Sequence, residues 1–241
     1  MSDCTNEMDV KSNYQEVLRR VEKSATISGR NLSDITVVGV TKRIEMARIQ
    51  PVLDSGLTHI GEIVGTEFKR KIGAIRNHKP STVIHVIGHL QSNKVKFAVE
   101  KCDLVESVES EQILSLLNKY SERNNKLYPI FFQVDFSDVE HLKGLTEKEL
   151  LKFLDIVKKY TSIEVRGLMT IAPLEYEKSS DRLRKFFSKT YSIYQKKFLP
   201  SIEKDDCFLS MGMSSDYEIA IEEGSNLIRV GTAIFGPRNP K

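Results

Sequence analysis

Short runs of β-branched and apolar residues recur along the chain. Between them lie stretches in which apolar residues return every three or four positions. The short runs fall at Thr36–Thr41, Thr58–Gly61, Thr82–Gly88, Leu104–Val108, Tyr128–Val134, Val165–Ile171, Cys207–Met211 and Leu227–Val230, which predicts eight strands. Several are apolar on both faces, as in Thr36-Val37-Val38-Gly39-Val40, the pattern of parallel strands covered by helices. In the intervening stretches Leu150, Phe153, Leu154 and Val157 stand at i, i+3, i+4 and i+7, one face of a helix. Thr146-Glu147-Lys148-Glu149 precedes them as a capping box, in which Thr146 and Glu149 satisfy each other's backbone N–H groups. A leading helix is predicted over Lys11 to Ser28 with Gly29 at its end, and another from Ser179 to Leu199, stopped by Pro200. Further helices are predicted at 44–55, 64–76, 93–101, 110–123 and 215–223. Eight strands alternating with helices over about 200 residues predict an α/β chain, a single (β/α)8 TIM barrel. An open doubly wound sheet is the alternative that counting elements leaves standing.

Composition narrows this picture. The 241 residues are 40% hydrophobic and 29% charged, the length of one β/α barrel, and no shift in composition marks a second domain, so residues 1–241 are read as one domain. The net charge of +3 and a pI near 8.6 fall short of a nucleic-acid footprint. The basic runs Lys69-Arg70-Lys71 and Lys196-Lys197 read as solvated helix faces. No run approaches the ~18 apolar residues of a membrane span, and Met1 to Val10, with Asp3, Glu7 and Asp9, is not a signal peptide. Cys4, Cys102 and Cys207 are odd in number and form no C-x-x-C pair, which suits reduced thiols in the cytoplasm.

In both architectures ligands gather at the carboxyl ends of the strands, so reactive side chains there carry the functional reading. Lys42 directly follows the first apolar strand, where a lysine against apolar neighbours can act as an amine nucleophile; alone, it also reads as a solvated loop residue. The seventh strand ends in Ser210-Met211-Gly212-Met213-Ser214-Ser215-Asp216 before a helix, a phosphate cradle or an ordinary N-cap. The eighth ends in Arg229-Val230-Gly231-Thr232, with Arg229 and Gly231 on one strand face. In TIM barrels the loops after strands 7 and 8 are the frequent phosphate site. His85 reads more readily as a hydrogen-bonded core histidine than as a reactive group, and His59 and His141 lack partners at ligand spacing. No HExxH, CxxC, Walker, GxGxxG or Gly-x-Ser-x-Gly pattern occurs, so no protein-held metal, nucleotide or acyl-transfer chemistry is expected. A lysine at one strand end and a phosphate cradle at two others call for a ligand with an aldehyde and a phosphate. Pyridoxal 5′-phosphate (PLP) fits, with Lys42 making the imine; a sugar-phosphate aldolase fits less well.

The segments Val40-Thr41-Lys42, Gly61-Glu62, Ile87-Gly88-His89-Leu90-Gln91-Ser92-Asn93-Lys94, Arg166-Gly167-Leu168-Met169-Thr170-Ile171-Ala172-Pro173, Leu209 to Asp216 and Ile228 to Gly236 carry a resemblance that runs through most of the chain. It resembles the pyridoxal phosphate homeostasis protein family, the YggS/PROSC type. The resemblance implies a barrel like the N-terminal domain of alanine racemase, with PLP held as a Schiff base on Lys42. It implies a phosphate held by Ser210, Gly212, Ser214, Gly231 and Thr232, Arg229 facing the pyridine nitrogen, and Met169 and His85 near the ring. The implied role is vitamin B6 homeostasis and amino-acid balance without robust catalysis, by a cytoplasmic monomer that exchanges PLP with PLP-dependent apoenzymes and touches neither nucleic acid nor membrane. The chain departs from the family pattern at Ile63, at Val64-Gly65-Thr66-Glu67, at Ile84 and at Asp135, on the wall around strands 2 to 5. The alternative is a PLP-dependent racemase-like enzyme; related racemases draw an opposing base from a second domain of a partner chain, for which 241 residues leave no room.

Overall fold

Each apolar run forms a strand, and every strand pairs in parallel with its sequence neighbour. The computed structural model describes residues 2–139, 143–202, 204 and 206–237, with side chains from residue 9 onward, so His141 and the Cys4 side chain lie outside the described residues. In chain order the elements are α1 (Ser2–Ile27), β1 (Thr36–Val40), α2 (Met46–Asp54), β2 (His59–Glu62), α3 (Thr66–His78), β3 (Val83–Val86), α4 (Val95–Lys101), β4 (Leu104–Val108), α5 (Glu111–Arg123), β5 (Tyr128–Gln133), α6 (Glu147–Ile156), β6 (Ile163–Met169), α7 (Ser180–Ile193), α8 (Leu199–Ile202), β7 (Phe208–Ser210), α9 (Tyr217–Glu222), β8 (Leu227–Val230) and α10 (Thr232–Phe235). The sheet closes where β1 pairs with β8, Thr36 opposite Leu227 through Gly39 opposite Val230. The fold is a (β/α)8 barrel, and the open-sheet alternative is excluded by that closure.

The predicted elements shift at their ends for identifiable reasons. The leading helix begins at Ser2 instead of Lys11, because residues before Val10 carry no apolar stripe that periodicity could detect. The capping box at Thr146 forms as read: Thr146 N donates to Glu149 Oε2 at 2.9 Å, and Glu149 N to Thr146 Oγ1 at 3.4 Å. Pro200 does not stop a helix. After α7 the helix continues without a break through a π-helical segment, Tyr194–Phe198, into α8, and Pro200 lies just past that segment. The basic run at residues 69–71 is not wholly solvated: Lys71 is buried. The helix α10 is absent from the sequence reading, being too short to show a period.

Alternation along the strands sorts side chains into two layers. Outward residues such as Val37, Ile60, Ile84, Ile130 and Ile228 pack under the helices. Inward residues Val38, Leu104, Phe131, Met169 and Leu227 form a separate apolar cluster inside the barrel. Polar side chains share that interior. His59 Nδ1 stands 2.8 Å from His85 Nε2, and His85 Nδ1 stands 2.6 Å from Glu106 Oε1. A carboxylate only accepts, so His85 Nδ1 carries a proton.

Burial first, and the His85 ring second, push the His59 pKa down to about 4. In the unfolded chain His59 titrates at its ordinary value of 6.5. Between these values the unfolded chain binds the extra proton, so stability is complete above pH ~6.5 and falls as pH drops toward 4. The loss should reach about 2 kcal/mol by pH ~4.5. Urea unfolding of the wild type and of His59→Gln across that window checks this: the variant should show a flatter profile, and parallel profiles would remove His59 as the cause.

Candidate functional site at the carboxyl end of the barrel

The turn after β1 is held from three sides. Lys71, on α3, donates from Nζ to the carbonyls of Thr41 at 2.7 Å and Ile44 at 3.2 Å. Its charge is matched by Glu62 Oε1 at 2.7 Å and Glu67 Oε1 at 3.2 Å. Thr41 Oγ1 donates to the same Glu62 oxygen at 2.6 Å, and Arg43 N donates to Glu67 at 3.0 Å. These bonds hold Arg43 at φ 59°, a left-handed conformation that costs a non-glycine residue about 1 kcal/mol or more. Lys42 sits between the anchored residues with its side chain directed into a cavity of about 600 Å³.

The same cavity is bounded by the ends of β7 and β8. Gly212 adopts φ +99°, and a Cβ there would lie 2.7 Å from Ala220 Cβ and 2.9 Å from Tyr217 Cα, so only glycine lets the loop fold back onto α9. Asp216 Oδ1 closes the loop by accepting from Met213 N at 2.6 Å. Burial raises the Asp216 pKa, while its bond from Met213 and the charge of Arg229 oppose the rise. Met213, Ser214 and Ser215 thereby face the cavity. Ser214 Oγ accepts from Gly231 N at 3.1 Å and Ala233 N at 3.3 Å, which ties the loop after β7 to the start of α10. Gly231 and Thr232 complete this side.

The inner end of the cavity is Arg229. It is almost wholly buried, at 4% exposure. Nη1 donates to Ser210 Oγ at 2.5 Å and Nη2 to the Thr170 carbonyl at 2.7 Å. Burial lowers its pKa, and the carboxylates of Glu106 and Asp216 oppose that.

The structure therefore brings five of the nine expected residues to the lining of one cavity: Lys42, Ser214, Arg229, Gly231 and Thr232. Ser210, Gly212, Met169 and His85 are not on it. Ser210 Oγ bonds Glu106 and Arg229 beneath the cavity; Gly212 shapes the loop; Met169 packs in the interior apolar cluster; His85 bonds His59 and Glu106. Of the departures, Ile63 lines the cavity and packs onto Gly88, where a Cβ would lie 2.5 Å from Ile63 Cγ1. Ile84 points outward under the helices, and Asp135 Oδ1 accepts from Ser137 N in a loop.

Val40, Ile87, Ile171 and Met213 supply an apolar lining that the sequence reading did not single out. Nor did it single out Glu177, between β6 and α7, which borders the cavity and accepts from Ser215 Oγ at 3.0 Å. The donor set is a primary amine, a buried guanidinium and neutral hydroxyl and amide groups around an apolar middle. Such a set suits a ligand with an aldehyde, a flat ring and a phosphate. Among the described residues no group of three or more His, Cys, Asp or Glu side chains is placed to hold a metal, and no helix is long and apolar enough to cross a membrane.

Comparison with known proteins agrees with this architecture. The family model for the alanine racemase N-terminal domain matches residues 10–239. The pyridoxal phosphate homeostasis protein of Escherichia coli K12 is 31% identical over 239 residues, covering 96% of this chain and 97% of that protein. The protein of the same name from Aquifex aeolicus is 29% identical over 234 residues, covering 96% and 99%. The solved structure of PipY from Synechococcus elongatus PCC7942 with PLP bound superposes with a TM-score of 0.78 at 28% identity, covering 91% of this chain and 100% of that one. The chain belongs to the alanine racemase N-terminal domain family and, within it, to the pyridoxal phosphate homeostasis proteins.

Proposed function

We propose that this chain binds pyridoxal 5′-phosphate in the cavity at the carboxyl end of the barrel and serves PLP homeostasis as a binding protein, acting as one domain. The observation that carries the reading is the meeting of Lys42, Arg229 and the Ser214–Gly231–Thr232 cradle around a single cavity. When bound, PLP supplies an aldehyde that condenses with a primary amine and a ring that draws electrons from it. Lys42 is the amine that would hold it. Hydroxyls of Ser214 and Thr232, with the Thr232 amide at the start of α10, would hold the phosphate. The apolar residues Ile63, Ile87 and Ile171 would flank the ring and exclude water. Delivery to apoenzymes by a cytoplasmic monomer is part of the same proposal.

Arg229 favours binding without turnover. Enzymes that stabilise carbanions on this cofactor gain from a protonated ring nitrogen. An arginine donates a hydrogen bond and takes up no proton, so at the nitrogen it would leave the ring a poorer electron sink. The racemase alternative rests on the shared family fold alone.

Borohydride reduction of the PLP-loaded protein followed by peptide mapping should place the adduct on Lys42. An adduct on another lysine would refute the assignment. Thr232→Val keeps shape and removes a donor to an anionic group, a bond worth about 1.5–3 kcal/mol, so PLP affinity should fall roughly tenfold or more. Unchanged affinity in a titration would take Thr232 out of the cradle. Hydrogen–deuterium exchange at Cα of alanine, with PLP-loaded protein in deuterated water, should run far below the ordinary enzyme range of ~1–10³ s⁻¹. Exchange within that range would make the chain an enzyme.

A further inference from the structure

A chain of hydrogen bonds crosses the barrel interior from β2 to the cavity. It begins at His59 and passes through His85 to Glu106. From Glu106 Oε2 it continues to Ser210 Oγ at 2.6 Å, and from Ser210 Oγ to Arg229 Nη1 at 2.5 Å. Five strands contribute one residue each: β2, β3, β4, β7 and β8. Glu106 is at the centre and has no solvent exposure.

We infer that Glu106 is a positioning residue for Arg229: through the Ser210 hydroxyl it fixes where the guanidinium points at the inner end of the cavity. The reason lies in proton accounting. Ser210 has one proton, and it goes to Glu106 because a carboxylate only accepts. The lone pairs of Ser210 Oγ are then turned toward Arg229, which only donates. The other oxygen of Glu106 is held by His85 Nδ1, so neither carboxylate oxygen is free to turn. Arg229 Nη1 also lies 3.9 Å from Glu106 Oε2, which places the two opposite charges close together away from water. Burial opposes ionisation of Glu106. Its bond from His85, the charge of Arg229 and the bond from Ser210 outweigh that, and its pKa lies below the usual carboxylate value.

A glutamine at this position cannot reproduce the pattern. It has one accepting oxygen, while both His85 and Ser210 present a proton. If the oxygen serves His85, the amide donates into Ser210 Oγ, and the Ser210 proton must turn toward Arg229. If the oxygen serves Ser210, the amide faces His85 Nδ1 and forces the other tautomer, with a proton at Nε2 directed at His59. Either way the chain is rebuilt at one end.

The inference rests on PLP occupying the cavity for its functional meaning, but its geometry is testable without ligand. In ligand-free protein the Arg229 Nε–Hε cross-peak, identified by its loss in Arg229→Gln, should shift or broaden in Glu106→Gln. It should do the same in Ser210→Ala, a small neutral change that removes the bridge and leaves both charges in place. In PLP titrations each of Glu106→Gln, Ser210→Ala and Arg229→Gln should weaken affinity about tenfold, the order of one charge-assisted bond. Glu106→Gln combined with Arg229→Gln should be no weaker than Arg229→Gln alone, because the first residue acts through the second. Additive losses, or an unmoved Arg229 signal in Ser210→Ala, would overturn the positioning role. If Glu106→Gln fails to fold, Ser210→Ala with its own Arg229 cycle decides the question. Wild-type protein that takes up no PLP while the Arg229 signal responds as stated would overturn the cofactor reading and leave the positioning role standing.

Discussion

Arg229 is a guanidinium removed from water, and the barrel around it is organised to keep it charged. Desolvating an ion costs several kcal/mol even after relaxation, and the cost is offset only where its donors are bonded and an opposite charge is near. Here Nη1 and Nη2 have the Ser210 hydroxyl and the Thr170 carbonyl, and Glu106 lies behind Ser210. Glu106 is itself buried and needs His85. A single cation facing the cavity thus requires polar side chains on four further strands, in the part of a barrel usually filled by branched apolar residues.

A second buried ion does a different task at the rim. Lys71 reaches from α3 to the carbonyls of Thr41 and Ile44, with Glu62 and Glu67 beside it. Those carbonyls bracket Lys42. A lysine side chain has many rotamers, and its amine is placed only as well as the backbone that carries it. The clamp also absorbs the cost of the left-handed Arg43. The two arrangements serve one cavity, one anchoring the backbone that carries the Lys42 amine and the other holding the Arg229 cation at its inner end.

Between these ends the wall is apolar, and it is here that the chain has its own character. Ile63 rests on the bare Cα of Gly88, and Ile87 on that of Gly61, so each β-strand end uses a glycine to admit a neighbour's side chain. Such a wall excludes water and supplies few hydrogen bonds. It suits the flat face of a ring, and among the described residues the side chains that line it beyond β2 and β3, Ile63 and Ile87, are apolar.

Much of this was legible along the chain. The alternation of apolar runs with helical periods specifies parallel strands covered by helices, since strands apolar on both faces need packing on both sides; that the sheet closes is decided by the pairing of β1 with β8. Lys42, Ser214, Gly231 and Thr232 were legible because each lies within four residues of a strand's end, and the end of a strand is known once the strand is. Depth was not. Ser210 and Arg229 both point inward, yet one is beneath the cavity and the other on its wall, because the longer side chain reaches what the shorter does not. Lys71 read as part of a solvated run, since nothing near it in sequence shows that a turn 30 residues earlier lies over it. Glu106 read as a residue within a strand; its partner Ser210 is 104 residues away and meets it only when the barrel has closed. The sequence by itself determined the elements, their order and the groups at strand ends, which depend on local spacing. The tertiary structure decided which charges are buried together, because burial and pairing belong to the closed barrel and to no segment of it.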